Sequence, residues 1–293
     1  MKFERLALIG CGLMGGSFAL ALRQAGAVAQ VAGFSASEAT RRKALTMGVI
    51  DLASTSAAEA VQGADLVLLA VPVGATEATL RAIDGLLLPH TLVMDVGSTK
   101  GDVVSAARAA LPRSLACFVP AHPIAGKEVA GIEHADATLY RDRQVILTPL
   151  PENPSERVLQ AHQLWQLLGS RVLELTPQAH DASFAAVSHL PHLAAFALVN
   201  AVARQPHGAE HLALAGPGFR DFSRIAASAP GVWRDILLAN REEVLHQSAL
   251  MREALHEFEL AMRAGDGARL EQLIAEASQT RSRWRLGGAD SDV

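Results

Sequence analysis

Hydrophobic and polar positions follow two regimes along this chain. In the first, short strand-like segments rich in apolar residues recur at 6–9, 29–34, 65–72, 92–96, 116–119, 144–148 and 171–175, separated by stretches with helical spacing such as 17–25 and the segment from Gly101 to about residue 110. A short run that is apolar throughout, instead of alternating, is the pattern of a strand buried on both faces, as in a parallel sheet. Strands alternating with helices predict a doubly wound α/β sheet. From Thr176 onward the strand runs stop and helical apolar periodicity covers 179–203, 232–264 and 268–285. The expected architecture is an α/β domain over residues 1–176 followed by an all-helical domain over 177–293, with the boundary near Thr176-Pro177. The helical segments carry Leu and Ala on more than one face, which predicts burial against a second subunit. Residues 287–293 are small, polar and acidic, the composition of a frayed tail. No internal repeat is visible.

The first apolar run, Leu6-Ala7-Leu8-Ile9, breaks into Gly10-Cys11-Gly12-Leu13-Met14-Gly15-Gly16 before helical spacing begins. Gly10 suits a tight turn, Gly12 lets backbone approach a pyrophosphate, and Gly15 allows close helix–strand packing. The free N–H groups of the helix then face a phosphate. This is the Rossmann dinucleotide fingerprint, and it predicts cofactor contacts from Gly10, Gly12, Leu13, Met14 and Gly15, and from Val71 and Pro72 at the end of a later run. About twenty residues on, where such folds place an acid that reads the ribose hydroxyls, the chain has Ser35. Ser35, Ser37, Thr40, Arg41 and Arg42 offer donors and positive charge to a 2′-phosphate, which favours NADP over NAD. The alternative is that Arg41 and Arg42 form a solvated helix face and the pocket accepts either cofactor. Gly97-Ser98-Thr99-Lys100 superficially resembles a P-loop, but the glycine, four-residue gap and Gly-Lys-Ser/Thr order is absent.

Composition narrows the partners. The 293 residues are 50% hydrophobic and only 4% aromatic, so the core is expected to be Ala, Leu and Val. Formal charge is 26 − 30 = −4, and no basic run or stripe points to nucleic acid or to an anionic membrane. A small-molecule partner is expected. The chain enters its first strand directly, leaving no room for a signal peptide, and no apolar run reaches membrane-spanning length, so a cytoplasmic location is expected. Cys11 and Cys117 lack the spacing of a metal site or a disulfide framework; Cys11 reads as a small filler in the glycine turn.

Three clusters could carry chemistry: Pro120-Ala121-His122-Pro123-Ile124-Ala125-Gly126, with His122 between prolines on a stiff loop; His180-Asp181 with Ser188-His189-Leu190-Pro191-His192; and Gly218-Phe219-Arg220-Asp221-Phe222-Ser223-Arg224-Ile225. A cleft between domains would gather them. His189 and His192 lack the further ligands of a known metal pattern, and no Gly-x-Ser-x-Gly elbow supports a serine hydrolase. That leaves proton transfer coupled to hydride transfer, for which histidine is suited near neutral pH.

Taken with Gly10-x-Gly12-x-x-Gly15-Gly16-Ser17, Asp95-Val96-Gly97-Ser98-Thr99-Lys100 and Trp233-Arg234-Asp235, these clusters make the chain resemble the prephenate and arogenate dehydrogenases of tyrosine biosynthesis over nearly its whole length. The resemblance implies a Rossmann domain joined to a helical dimerisation domain, a homodimer, and oxidative decarboxylation of a substrate bearing two carboxylates. It implies His122 as acceptor for the ring 4-hydroxyl, Ser98 fixing both hydroxyl and imidazole, Arg224 binding a carboxylate, and His192 and the weaker match His180 in the substrate pocket. His189 reads as a capping or core residue, Arg220 as a partner for Asp221 or Asp235, and Trp233 as interface packing. Ser35 departs from the acid of NAD-using members. Hydroxyacid dehydrogenases of the same plan use a lysine in the second domain, and this chain has none after Lys127. A non-catalytic nucleotide sensor would not need His122, Ser98 and Arg224 together. No appended regulatory domain or fused mutase is expected, and the choice between prephenate and arogenate is open.

Overall fold

The computed structural model describes residues 1–127 and 129–285; the tail at 287–293 lies outside the described residues. The early apolar runs become strands of a parallel sheet interleaved with helices: β1 (Phe3–Ile9), α1 (Leu13–Gln24), β2 (Val28–Phe34), α2 (Glu38–Thr46), β3 (Leu52–Ala53), α3 (Ala57–Ala60), β4 (Leu66–Leu69), α4 (Thr76–Ile83), β5 (Leu92–Asp95) and α5 (Gly101–Ala110). The strand order is β3-β2-β1-β4-β5, all parallel, so the order reverses between β1 and β4. Alternate side chains of β1 serve opposite cores. Leu6 and Leu8 pack on one face with Phe18 of α1, and Ala7 and Ile9 on the other with Leu80 of α4 and Val104 of α5. Both faces are covered, which is why the run is apolar without alternation.

The strand expected at 116–119 is absent: Leu115–Cys117 is a 3₁₀ turn, and a single parallel bridge joins Phe118 to Val93. Val119 N still donates to Val93 O at 2.9 Å, but Pro120 has no N–H with which to continue the ladder. Pairing moves instead to a second sheet of β6 (Ala121–Pro123), β7 (Gln144–Leu147) and, beyond α6 (Ser155–Leu167), β8 (Arg171–Glu174), in the order β6-β7-β8. His122 therefore lies in a strand, opposite Ile146, and not on a loop. As an edge strand, β6 tolerates Pro123, which has no donor to give.

From Pro177 the described elements are helical: α7 (Pro177–Phe184), a π-helical turn (Ala185–His189), α8 (Leu190–Ala203), α9 (Gly208–Ala213), α10 (Pro217–Ser223), a 3₁₀ turn (Arg224–Ala227), α11 (Pro230–Ala239), α12 (Arg241–Ala264) and α13 (Gly267–Arg283). The segment expected at 232–264 is two helices broken at Asn240. Pro177–Ala203 runs through the π turn as one 27-residue stretch with mean hydropathy 1.5, long and apolar enough to cross a membrane by length and composition. This corrects the expectation that no segment reaches that length. Polar residues interrupt the run in sequence, but the helix continues through them, and His180, Asp181 and His189 are buried and hydrogen-bonded within the protein.

By compactness the chain divides into Met1–Arg241 and Glu242–Val293. The second unit is a helical hairpin. Gly265 turns at φ +63°, the Asp266 carboxylate caps α13 by accepting from Arg269 N at 2.9 Å, and Arg269 pairs with Glu257 at 2.6 Å.

Candidate active site

The glycine segment forms the turn that its sequence implies. Gly10 has φ +104°, and a Cβ there would meet Ala70 O at 2.1 Å; one at Gly15 would meet Gly10 O at 2.2 Å. Beside Gly12 the space is open, with nothing within 4 Å of an added Cβ. Gly12 is the N-cap of α1, no side chain caps it, and the first turn carries no acid. Backbone donors are thus left for an anionic ligand, as a dinucleotide pyrophosphate requires. The opposite side of this turn is held by distant residues: Tyr140 Oη donates to Met14 O at 2.7 Å, and Asp136 N donates to Ser17 Oγ at 2.9 Å. The Cys11 thiol is buried and burial pushes it up to about 12, in keeping with a filler.

Leu13 and Met14 open α1, Ser35 follows β2, Val71 and Pro72 follow β4, and Ser98 follows β5, so all stand at the carboxyl edge of the parallel sheet where ligands of such folds bind. Arg41 reaches back from α2, donating from Nη1 to Ser35 O, with its guanidinium 5.9 Å from the Phe34 ring centroid. Arg42 instead pairs with Glu38 on the same exposed helix face.

His122 sits beyond the end of β5, where a buried ion pair fixes its strand. Lys100 Nζ, fully buried, donates to Asp95 Oδ2 and, at 2.8 Å, to Ala121 O; Asp95 Oδ1 accepts from Ala121 N at 2.9 Å. Both backbone groups of the residue before His122 are thereby held by one ion pair. His122 Nδ1 lies 2.8 Å from His180 Nε2, and His180 Nδ1 lies 2.7 Å from Asp181 Oδ1. Asp181 also accepts from Lys100 N and Gly101 N, each at 2.8 Å, at the start of α5. Phe184 packs against both rings, with centroids 4.8 Å from His122 and 4.5 Å from His180. Ser98 makes no side-chain hydrogen bond among the described residues; the protein group holding the His122 ring is His180.

Burial, then the neighbouring His180 and Lys100, pushes His122 well below the ordinary histidine value, which keeps the ring neutral. Burial also lowers His180, against the opposing pull of Asp181. For Asp181 burial acts upward, but the hydrogen bonds from His180, Gly101 and Lys100 prevail and hold the carboxyl below its usual range.

A second group is built on α8. His192 stacks on Trp233 at 3.5 Å between centroids and 21° between planes, and its Nδ1 lies 3.0 Å from Ser188 O in the π turn. Arg224, exposed at the start of the 3₁₀ turn after α10, adds its charge to the burial that lowers His192. His189 is buried between the groups, its Nδ1 accepting from Asn240 Nδ2 at 3.1 Å, and burial lowers it to about 4. Arg220 pairs with Asp221 at 2.9 Å. Sequence reasoning placed Asp95, Lys100 and Asp181 within its motifs but gave none of them a role in the site. Their signal was adjacency: Asp181 follows His180, and Lys100 ends the segment that contains Ser98.

Two family models cover most of the chain. Residues 18–174 match the nucleotide-binding domain of prephenate dehydrogenase, and residues 176–276 match its dimerization domain. The cyclohexadienyl dehydrogenase of Zymomonas mobilis is 32% identical over 281 residues, 95% of each chain. The prephenate dehydrogenase of Bacillus subtilis is 36% identical over 248 residues, 83% of this chain and 66% of that one. A crystal structure of prephenate dehydrogenase from A. aeolicus with hydroxyphenyl propionate and NAD+ superposes with a TM-score of 0.89 at 34% identity, covering 96% of this chain and 98% of that one. The arogenate dehydrogenase of Synechocystis superposes with a TM-score of 0.82 at 26% identity, covering 96% and 100%. The likeness runs along almost the full length of the chain, and the chain belongs to the prephenate dehydrogenase family.

Proposed function

We propose that this chain carries out the oxidative decarboxylation of its family on prephenate, arogenate or both, giving 4-hydroxyphenylpyruvate or tyrosine, and that NADP is its preferred cofactor. The observation that carries this reading is a buried, neutral His122 beyond β5, at the same sheet edge as a glycine turn open to a pyrophosphate. Gly10, Gly12, Leu13, Met14, Gly15, Val71 and Pro72 would hold the dinucleotide, with Ser35 and Arg41 at its ribose end. When bound, the nicotinamide supplies the hydride acceptor. His122 accepts a hydrogen bond from the ring 4-hydroxyl as hydride leaves C4, Ser98 orients that hydroxyl, and Arg224 binds a substrate carboxylate through its fork of donors. His192 lines the substrate pocket, held by Trp233. Loss of carbon dioxide from C1 makes the ring aromatic, which drives the reaction forward. Support for NADP comes from Ser35 in place of an acid and from Arg41 reaching Ser35 O.

On the same reading residues 1–176 bind the dinucleotide, and 177–293 bind substrate and form a homodimer. The dimerization-domain match over 176–276 supports this, as does the exposure of large apolar side chains such as Val187 and Leu214 at 71% and 85%. Steady-state kinetics with both substrates against both cofactors test the function, and sedimentation tests the dimer. Turnover of neither substrate would refute the enzyme, and a monomer at micromolar concentration would refute the dimer.

A further inference from the structure

We propose that Asp181 and His180 are positioning residues that set the tautomer of His122, so that Nδ1 carries the proton and Nε2 presents a bare lone pair to the substrate. The naming of the substrate rests on the proposed function; the tautomer does not.

The argument starts at the far end of the chain of contacts. Asp181 Oδ1 accepts from Lys100 N and Oδ2 from Gly101 N, each at 2.8 Å, so both oxygens face backbone donors at the first turn of α5. The positive end of a helix favours the charged carboxylate there, and a carboxylate has no proton to give. The 2.7 Å contact between Asp181 Oδ1 and His180 Nδ1 is therefore an N–H donated by His180. In a neutral imidazole the other nitrogen is then an acceptor. His180 Nε2 must receive a proton across its 2.8 Å contact, and the donor facing it is His122 Nδ1. One tautomer is left for His122, with Nε2 unprotonated.

The opposite arrangement requires a doubly protonated His180 donating from Nε2, which would leave His122 Nε2 as a donor, unable to accept from a hydroxyl. Burial and the Lys100 ammonium act against that cation, while Asp181 and Asp95 act for it, and the net direction is downward. The groups facing His122 are His180, Lys100 and His189, and all three disfavour a charge on its ring. Phe184 against both imidazoles restrains the rotation by which either could exchange its nitrogens. A carboxylate that orients a catalytic imidazole through one hydrogen bond is a familiar device. Here it acts through an intervening ring and is anchored to the helix that follows Ser98.

Long-range ¹⁵N–¹H correlation spectra of the full-length protein labelled with [¹⁵N]histidine read the tautomers directly, with His122 and His180 assigned from the His122→Asn and His180→Asn variants. We expect His122 and His180 both protonated at Nδ1 at neutral pH. A His122 ring protonated at Nε2 would overturn the proposal. In Asp181→Asn we expect kcat to fall about 100-fold or more, with little change in KM or in dinucleotide Kd, and the His122 signals to move toward the Nε2–H form. Wild-type kcat in that variant would equally overturn it, and should the variant fail to fold, the wild-type spectra decide. A wild-type protein that turns over neither prephenate nor arogenate refutes the proposed function and leaves the tautomer standing, because the spectra need no substrate.

Discussion

Lys100 and Asp95 form an ion pair with 0% and 4% side-chain exposure, and its remaining contacts clamp the peptide groups of Ala121, next to His122. Removing one partner strands the other charge in the interior. Lys100→Met should cost about 3–5 kcal/mol of stability, measured by denaturant unfolding. The same change removes a charge that lowers His122, so the acid limb of kcat/KM should move to higher pH. A variant as stable as the wild type would show that the pair does not hold β6.

The pH dependence of activity follows from the state of His122. On the proposed mechanism His122 accepts a hydrogen bond only when neutral, and burial, with His180 and the Lys100 ammonium beside it, lowers it well below 6.5. Activity should therefore persist through pH 6.5 and fall only at distinctly lower pH, where the folded ring protonates. An acid limb in kcat/KM at the ordinary histidine value would contradict this.

Stability should follow a related course. His189 titrates at about 4 when folded and near 6.5 when unfolded, so between those values the unfolded chain binds more protons. Stability contributed by neutral His189 is complete above 6.5 and is lost as pH falls toward 4, on the order of 3 kcal/mol from this residue. His189→Gln should flatten the acid side of a plot of unfolding free energy against pH. An unchanged slope would place the acid sensitivity elsewhere.

Much of this was legible in the sequence. The glycine turn and β1, β2, β4 and β5 could be read because each is a local pattern, a buried run, with Gly10, Gly12 and Gly15 in order after the first; the two exposed residues of β3 carry no such pattern and were not read. The strand of His122 could not, because three residues flanked by Pro120 carry no periodicity and their partner strand lies more than twenty positions on. His180 was expected in the substrate pocket, but its contact with His122, across 58 residues, was not expected, because no spacing rule encodes it. Lys100 was unreadable for a different reason. A lysine is ordinarily a solvated residue, and only the fold shows this one sealed.

On the proposed function Arg224 binds a carboxylate of the substrate. Arg224→Ala should weaken substrate binding by about 2–5 kcal/mol, read as a raised KM, and Arg224→Lys should recover only part because an ammonium cannot reproduce the planar fork. An unchanged KM in the alanine variant would place the carboxylate elsewhere.

On the proposed preference for NADP, cofactor choice turns on Ser35. A 2′-phosphate would be repelled by an acid there, so Ser35→Asp should raise KM for NADP while leaving NAD equal or better, and Arg41→Ala should harm NADP alone. A clear preference of the unmodified protein for NAD would remove the NADP reading.

The bond from Tyr140 to Met14 spans 126 residues, and Tyr140 stacks edge-on with Trp165, which in turn meets Phe18 of α1 at 5.1 Å. The nucleotide-binding half therefore cannot be excised at the end of α5, although its five parallel strands would all be present. A fragment stopping there would expose the apolar underside of α1 and release the turn at Met14. The smallest unit able to keep the glycine turn in shape must run through α6, so the second sheet and its helix serve as the back wall of the first.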